Sequence, residues 1–321
     1  MQILVTGGAG FIGSHLCERL IADGHTVTAL DNFSTGRPSN LETLKDSASF
    51  VLIEGSILDF KALKPLVEKA DFVFHLAAAV GVFNIVNNPL ASLLTNIRGT
   101  ENVLEAAYAS NTPVFLTSSS EVYGKNIADS LKESDDRILG SPVTLRWSYS
   151  EAKAIDESLA YAYFIEKKLE TRIVRFFNTV GPRQLGAYGM VVPRFLKSAL
   201  TNEPITIYGD GNQTRCFAHV YDVIDAVIAI AFADNTIGKV INIGNDFEIS
   251  INALAEKIIE ETSSKSEIVY VPYEEAYGDG FEDMERRVPN IELIKQLVGW
   301  QPRRNLSTII GDMSAEMRKN S

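Results

Sequence analysis

Three side chains near the middle of the chain have the types needed to move a proton between a hydroxyl group and the protein. Tyr149 and Lys153 are four residues apart at the start of a predicted helix, so they share one helical face. Ser119 directly follows a predicted strand, at the carboxyl edge where open α/β sheets bind ligands. A phenol beside an ammonium group can act as a base or an acid towards a hydroxyl that a serine holds. The pattern predicts a catalytic set rather than an exposed helical Tyr–Lys pair.

The first turn of the chain has the glycine spacing of a dinucleotide site. Residues 6–13 read TGGAGFIG, in which Gly7, Gly10 and Gly13 follow an apolar strand and open a helix. Such glycines permit a tight turn, a close approach of backbone to pyrophosphate and packing of the helix on the strand. The helix N-terminus supplies amide donors. Asp31 ends the next predicted strand and is placed to accept the adenosine ribose hydroxyls, and the two residues after it offer no cation. The sequence therefore predicts NAD rather than NADP.

Alternating strands and helices position these residues. Short apolar strands that alternate with amphipathic helices predict a parallel sheet covered on both faces. The predicted fold class is α/β, a Rossmann-type doubly wound parallel sheet with a smaller C-terminal substrate domain. The predicted strands are 1–6, 26–31, 50–55, 72–77, 114–118 and 171–176, and the predicted helices are 13–24, 89–110 and 150–168.

The chain after Gly181 consists of shorter elements separated by prolines. We therefore predict an NAD-binding domain over residues 1–180 and a substrate domain over residues 181–321. Segment 217–244 has the pattern of a helix followed by a strand, and we expect it to rejoin the sheet of the first domain.

Composition restricts the partners. The chain has 321 residues, a formal net charge of −11 and a pI of about 5.0. Such a chain repels phosphate backbones and anionic lipids, which argues against nucleic acid and membrane partners. The N-terminus enters a strand with no export signal, and Cys17 and Cys216 fit neither a metal spacing nor a disulfide framework. We expect a cytoplasmic enzyme with no metal.

With its glycine turn, Ser119, Tyr149 and Lys153, the whole chain resembles the extended short-chain dehydrogenases/reductases. The resemblance implies that Lys153 and the nicotinamide cation lower the pKa of Tyr149. Tyr149 then takes a hydroxyl proton while a hydride leaves the same carbon for NAD, and Ser119 holds this hydroxyl. It also implies a homodimer in which helices 89–110 and 150–168 pair with a second copy. The predicted cofactor site comprises Gly7, Gly10, Phe11, Ile12, Gly13, Asp31, Asn32, Ser56, Ile57, Leu76, Ala77, Ala78, Asn96, Tyr149 and Lys153.

Motifs in the second half are similar to those of nucleotide-sugar enzymes in this superfamily. They read FFNTVGPRQ (176–184), YGDGNQTRCF (208–217) and HVYDV (219–223). By this resemblance the substrate is a UDP-sugar whose diphosphate meets an asparagine and an arginine, since an arginine fork pairs two oxygens at once. Tyr208 either packs near the uridine or fills a small core. The predicted contacts are Asn178, Val192, Tyr208 and Arg215.

Four further residues bear on the reaction at the sugar. Ser120 and Glu121 lie in SSSEVYG, Arg146 lies in RWSY and Arg287 lies in FEDMERRVP (281–289). Position by position this set is similar to that of UDP-glucuronate decarboxylases. The resemblance implies that oxidation at C4 makes the C6 carboxylate a β-keto acid, which loses carbon dioxide while an arginine orients it. Glu121 then crowds the carboxylate or holds the water that protonates C5. Tightly bound, recycled NAD returns the hydride to C4 and the product is a UDP-pentose of the UDP-xylose type.

Other functions stay open at this point. A 4-epimerase for UDP-glucose or UDP-glucuronate needs the same Ser–Tyr–Lys set but leaves Glu121 and Arg146 unexplained. A 4,6-dehydratase needs a base at C5, for which Glu121 is a candidate, although Ser120 stands where the dTDP-glucose enzymes carry Asp. A non-catalytic sensor of sugar nucleotide or NAD(H) predicts an eroded catalytic set, whereas this set is intact. Arg286 is the alternative to Arg287.

Overall fold

A seven-stranded parallel sheet forms the centre of the computed structural model, which describes residues 1–81, 87–186, 190–272, 275, 284 and 286–319. The strands in chain order are β1 (Gln2–Thr6), β2 (Thr26–Asp31), β3 (Phe50–Glu54), β4 (Phe72–His75), β5 (Val114–Ser119), β6 (Thr171–Phe176), β7 (Thr179–Val180), β8 (Ile205–Tyr208), β9 (Thr214–Cys216), β10 (Ala218–His219), β11 (Val240–Ile243), β12 (Glu248–Ser250) and β13 (Ile268–Val271). The order across the large sheet is β3, β2, β1, β4, β5, β6, β11, and each neighbouring pair is parallel. Strand order reverses between β1 and β4, the point at which open α/β sheets bind ligands.

Helices cover both faces of this sheet because its strands are apolar on both sides. In chain order, the helices of the described residues are α1 (Phe11–Ala22), α2 (Phe60–Glu68), α3 (Pro89–Ser110), α4 (Ser148–Lys167), α5 (Val191–Thr201), α6 (Val220–Ala231), α7 (Ile251–Thr262), α8 (Glu292–Val298) and α9 (Leu306–Lys319). Leu16 of α1 and Val223 of α6 belong to the core on one face, whereas Leu63 of α2, Val103 of α3 and Ala160 of α4 belong to the other. The predicted α/β, doubly wound fold is confirmed. None of the helices in the described ranges combines the length and apolar character that crossing a bilayer requires.

The bounds of the predicted elements agree with the structure within two residues. Helix α1 begins at Phe11 and strand β4 ends at His75, each two residues earlier than predicted. Helix α4 begins two residues earlier than predicted, which places Tyr149 inside its first turn. Helix α2 was not predicted, because it is short and contains Pro65. Its start is fixed by the Asp59 carboxylate, which accepts hydrogen bonds from the backbone N–H groups of Lys61 and Ala62.

The second half of the chain contributes to two cores. Strand β11 pairs with β6, with Val240 opposite Ile173, so segment 217–244 adds a helix and the last strand to the large sheet. A separate apolar core, which contains Phe195 of α5, Ile258 of α7 and Met313 of α9, lies among the C-terminal elements.

Candidate active site

A cavity of about 500 Å³ lies at the carboxyl ends of the central strands and extends to the C-terminal elements. This volume is in the usual range for a small-molecule site. Apart from Asn96, every predicted site residue lines it: Gly7, Gly10, Phe11, Ile12, Gly13, Asp31, Asn32, Ser56, Ile57, Leu76, Ala77, Ala78, Ser119, Ser120, Glu121, Arg146, Tyr149, Lys153, Asn178, Val192, Tyr208, Arg215 and Arg287. The fold therefore brings residues from both halves of the chain to one site.

The glycine turn packs so closely against neighbouring backbone that it has no space for side chains at Gly7 and Gly13. Gly7 has a φ of +72°, and a Cβ built on it would lie 2.8 Å from the backbone nitrogen of Ala77. A Cβ on Gly13 would lie only 2.1 Å from the carbonyl oxygen of Gly7. Helix α1 begins at Phe11, so its first N–H groups have no partner within the helix and lie at the cavity wall. The residues present thus fit a dinucleotide whose pyrophosphate lies at the N-terminus of α1.

Asp31 shapes the same turn. Its carboxylate accepts hydrogen bonds from the backbone N–H groups of Ala9, at 2.9 Å, and Phe33, at 2.8 Å. Burial raises the pKa of Asp31, and these backbone N–H groups oppose the increase. Asn96 acts differently from the prediction, because its side chain binds the amide and carbonyl of Ala79 instead of lining the cavity. It holds the loop after β4 in place.

Strand β5 and helix α4 position the catalytic set. The Lys153 ammonium is buried and donates to the carbonyl oxygen of Thr117 and to the carboxylate of Asp156, both at 3.1 Å. Burial raises the pKa of Tyr149, the charges of Glu121 and Asp156 raise it further, and a hydrogen bond with Ser119 opposes them. The Lys153 ammonium is therefore paired with a carboxylate of the same helix.

A buried cation–anion–cation cluster forms the wall beside Tyr149. Nη1 of Arg146 lies 2.6 Å from Oε2 of Glu121, and Nη1 of Arg287 lies 2.5 Å from Oε1 of the same carboxylate. Burial alone would raise the pKa of Glu121, but the two guanidinium groups lower it to about 2. Two cations and one anion leave a net charge of +1 in the cluster. Such a site favours a ligand that carries a carboxylate.

Arg287, not Arg286, faces this cavity. Nη2 of Arg287 donates to Oδ1 of Asn178 at 2.7 Å, and its buried Nε has no partner among the residues that the structure describes. Arg286 turns outward to the Glu248 carboxylate and the Asp129 carbonyl oxygen. Residues 281–283 and 285 of the same motif lie outside the described residues.

The C-terminal elements form the other end of the cavity. Asn178 donates to the carbonyl oxygen of Cys216 at 2.9 Å, which fixes the amide beside β9. The Tyr208 ring lies under the Arg194 guanidinium, whose Cζ is 4.2 Å from the ring centroid. Arg194 also lines the cavity, although it is not among the predicted site residues. Asp156 was also missed, although it lies on the helical face of Tyr149 and Lys153.

Comparison with known proteins places this site in context. The model of the NAD dependent epimerase/dehydratase family matches residues 3–244. A UDP-N-acetyl-alpha-D-glucosaminuronate decarboxylase of Bacillus cytotoxicus is 42% identical over 94% of this chain and 92% of its own length. UDP-glucuronic acid decarboxylase 1 of Xenopus tropicalis is 37% identical over 94% of this chain and 68% of its own length. The structure of UDP-glucuronic acid 4-epimerase from Bacillus cereus, in complex with UDP-glucuronic acid and NAD, is 29% identical, with a TM-score of 0.88 over all of both chains.

Proposed function

The chain belongs to the NAD-dependent epimerase/dehydratase family, and from this premise we propose that it decarboxylates a UDP-linked hexuronate through a 4-keto intermediate. The observation that carries the proposal is the buried Arg146–Glu121–Arg287 cluster. Its net positive charge lines the same cavity as Tyr149, within reach of the C6 carboxylate of a sugar whose C4 hydroxyl contacts that phenol.

The catalytic set acts on the C4 hydroxyl. Ser119 holds this hydroxyl, and Tyr149 takes its proton. Lys153, fixed by Thr117 and Asp156, keeps a cation behind the phenol. The chemistry supplied by bound NAD is removal of a hydride from C4 and its return in the last step. The residues that hold the cofactor are the glycine turn, Asp31 and the loop after β4.

The charged cluster acts on the carboxylate. Arg146 and Arg287 orient the C6 carboxylate by charge-assisted hydrogen bonds. When carbon dioxide leaves, the electron pair of the broken C5–C6 bond passes to the C4 oxygen, and the protonated Tyr149 stabilises this enolate. Glu121 stays ionised, because its pKa is held at about 2, so it is not the acid that protonates C5. We assign that proton to water, and assign Glu121 the placement of both arginines.

The same cluster ranks the alternative reactions. A carboxylate with a pKa of about 2, bound by two guanidinium groups, is a poor base for C5, which disfavours a 4,6-dehydratase. A 4-epimerase acting on UDP-glucuronate is the second candidate, because the similar Bacillus cereus epimerase binds that carboxylated sugar. The intact catalytic set, which lines the cavity, disfavours a non-catalytic sensor.

Two substrates of one chemical class follow from the relatives. The 42% identical relative is named for the 2-acetamido uronate, and the 37% identical relative for the 2-hydroxy uronate. Both carry the C6 carboxylate that the cluster recognises, so the substrate class does not depend on C2.

The test is a comparison of substrates without added NAD. Purified protein is incubated with UDP-glucuronate, UDP-N-acetylglucosaminuronate and UDP-glucose, and the products are identified by mass and by NMR at C4. We expect loss of carbon dioxide from at least one uronate and no net NADH. A uronate of unchanged mass with inverted C4 identifies the epimerase instead. Loss of water identifies a dehydratase.

We further propose a homodimer formed by α3 and α4, which pack on each other at the surface of the sheet. Both helices expose large apolar side chains, namely Leu90, Tyr108, Ile155, Tyr161 and Ile165. Sedimentation of the holoenzyme tests this assembly.

We also propose an NAD domain over residues 1–180, a substrate domain over residues 181–321 and a cytoplasmic location. The two free, buried cysteines agree with a reducing compartment.

A further inference from the structure

A carboxylate lies buried directly behind the catalytic lysine. Asp156 is fully buried on α4, and its Oδ2 lies 3.1 Å from Nζ of Lys153. Tyr149, Lys153 and Asp156 lie at positions i, i+4 and i+7 and thus on one face of the helix. Buried charges are costly even when they are paired. Burial raises the pKa of Asp156, and the charge and hydrogen bond of Lys153 oppose this increase and favour the ionised carboxylate.

We propose that Asp156 is a positioning residue that fixes the Lys153 ammonium and offsets its charge at the Tyr149 phenol, so that the phenol can return its proton to the sugar. The inference rests on the proposed function in one respect: the reaction has to oxidise a sugar hydroxyl and restore it at the end. With NAD bound, the O4–H proton would pass to the phenolate of Tyr149 while the cofactor would accept the C4 hydride. In the last step the cofactor would return the hydride to C4, and the phenol of Tyr149 would return the proton to O4.

The balance of charge explains why such a residue is useful. A lysine alone beside Tyr149 stabilises the phenolate, which favours the first step and opposes the last. A reaction that ends in the starting redox state needs a phenol that is neither too acidic nor too basic. A neutral Lys153–Asp156 pair meets this need, and in the structure the Asp156 charge indeed raises the pKa of Tyr149.

Other charged groups around the pair do not supply this balance. His75 of β4 faces Lys153 but stays neutral, because burial lowers its pKa to about 3. The Glu121 charge that faces Tyr149 is itself bound by Arg146 and Arg287. The remaining charged neighbours are Glu157, which pairs with Arg175 of β6, and the exposed Arg98, Glu101 and Glu105 of α3.

Asp156→Asn in the holoenzyme tests the proposal, because asparagine has the same shape without the charge. Ultraviolet difference titration without substrate follows the Tyr149 phenolate, with Tyr149→Phe as the blank. We expect the phenolate of Asp156→Asn to form about one pH unit lower than in the wild type. We also expect more bound NADH at steady state and a pH profile of C4 oxidation displaced to lower pH. Asp156→Glu should restore all three readouts.

Glu157→Gln is the matched control, since it removes a buried carboxylate of the same helix that pairs with Arg175 instead. It should lower thermal stability without moving the phenolate titration. An Asp156→Asn protein that loses stability but keeps the wild-type titration overturns the proposal. If Asp156→Asn does not fold, Asp156→Ser is titrated with the same criteria. A wrong decarboxylase assignment would give a different result: the protein would still form bound NADH but would release no carbon dioxide.

Discussion

The two ends of the cavity are built by different means. The dinucleotide end is made by backbone of residues 6–13, which are contiguous in the chain, and its shape depends on missing side chains. The sugar end is made by the charged side chains of Glu121, Arg146 and Arg287, of which the outer two are 166 residues apart in sequence. The first end is therefore sensitive to added volume, and the second is sensitive to a change of charge.

At the dinucleotide end, Gly13→Ala should have the largest effect of the substitutions considered, and the property it changes is NAD affinity. The new Cβ would lie 2.1 Å from the Gly7 carbonyl oxygen, which is backbone and cannot move aside. Because overpacking against a rigid neighbour costs about 3 kcal/mol, we expect NAD affinity to fall about 100-fold or more. Isothermal titration with NAD, and the NAD content of the purified protein, measure the loss.

Gly311→Ala is the control for that change. Gly311 lies inside α9, and a Cβ there would meet nothing within 4 Å. This variant should keep its NAD and gain up to about 1 kcal/mol of helix stability. Wild-type NAD content in the Gly13 variant would show that the turn does not work through close approach.

Glu121→Gln tests the sugar end, where the change is one of charge with almost no change of shape. It leaves two buried arginines without their counter-ion, and losing one partner of a buried ionic cluster costs about 3 kcal/mol or more. We expect release of carbon dioxide to slow about 100-fold more than C4 oxidation. Single-turnover measurements of bound NADH and of released carbon dioxide separate the two steps.

Glu248→Gln is the matched control, because Glu248 pairs with Arg286, which faces away from the cavity. In this variant the ratio of the rate of carbon dioxide release to the rate of C4 oxidation should stay at the wild-type value. Equal slowing of oxidation and decarboxylation by Glu121→Gln would mean that the cluster has no special part in the second step.

The smallest effect concerns the pH dependence of the free energy of unfolding. His75, below the cavity, and Glu121, at its sugar end, should contribute to it over different pH ranges. The pKa of His75, behind the catalytic lysine, is lowered by burial from 6.5 to about 3, so the unfolded chain binds its proton first as pH falls. Stability from His75 is full above pH 6.5 and is lost progressively towards pH 3, by at most about 1.4 kcal/mol per pH unit. Glu121, with its pKa lowered from 4.5 to about 2, contributes stability that is full above pH 4.5 and is lost as pH falls towards 2.

Urea unfolding at several pH values between 7 and 5 measures how the free energy of unfolding changes with pH. His75→Asn should flatten the loss of stability over that interval, whereas Glu121→Gln should leave its slope unchanged. The remaining slope in His75→Asn is expected from the other three histidines, whose pKa values are lowered by burial, to about 4 for His15 and in the same direction for His25 and His219. A slope that is the same in His75→Asn and the wild type would refute the assignment.

The sequence predicted most of the sheet, because apolar alternation and period are local properties. Strands β2 and β6 and helix α3 have the predicted bounds. Helix α2 was not found, since its nine residues and internal proline give a weak pattern. The side chain of Asn96 was assigned to the cofactor, whereas its hydrogen bonds to Ala79 depend on how α3 packs against the loop after β4.

The sequence by itself determined the fold class, the dinucleotide turn and the family, because each depends on residues close together in the chain or on motifs read position by position. Only the tertiary structure decided which of Arg286 and Arg287 faces the cavity, that Glu121 lies between two cations that lower its pKa, and that Asp156 pairs with Lys153. These properties depend on distances between buried charges in a medium of low polarity, where a few ångströms decide whether a group keeps its proton. Spacing along the chain does not contain those distances.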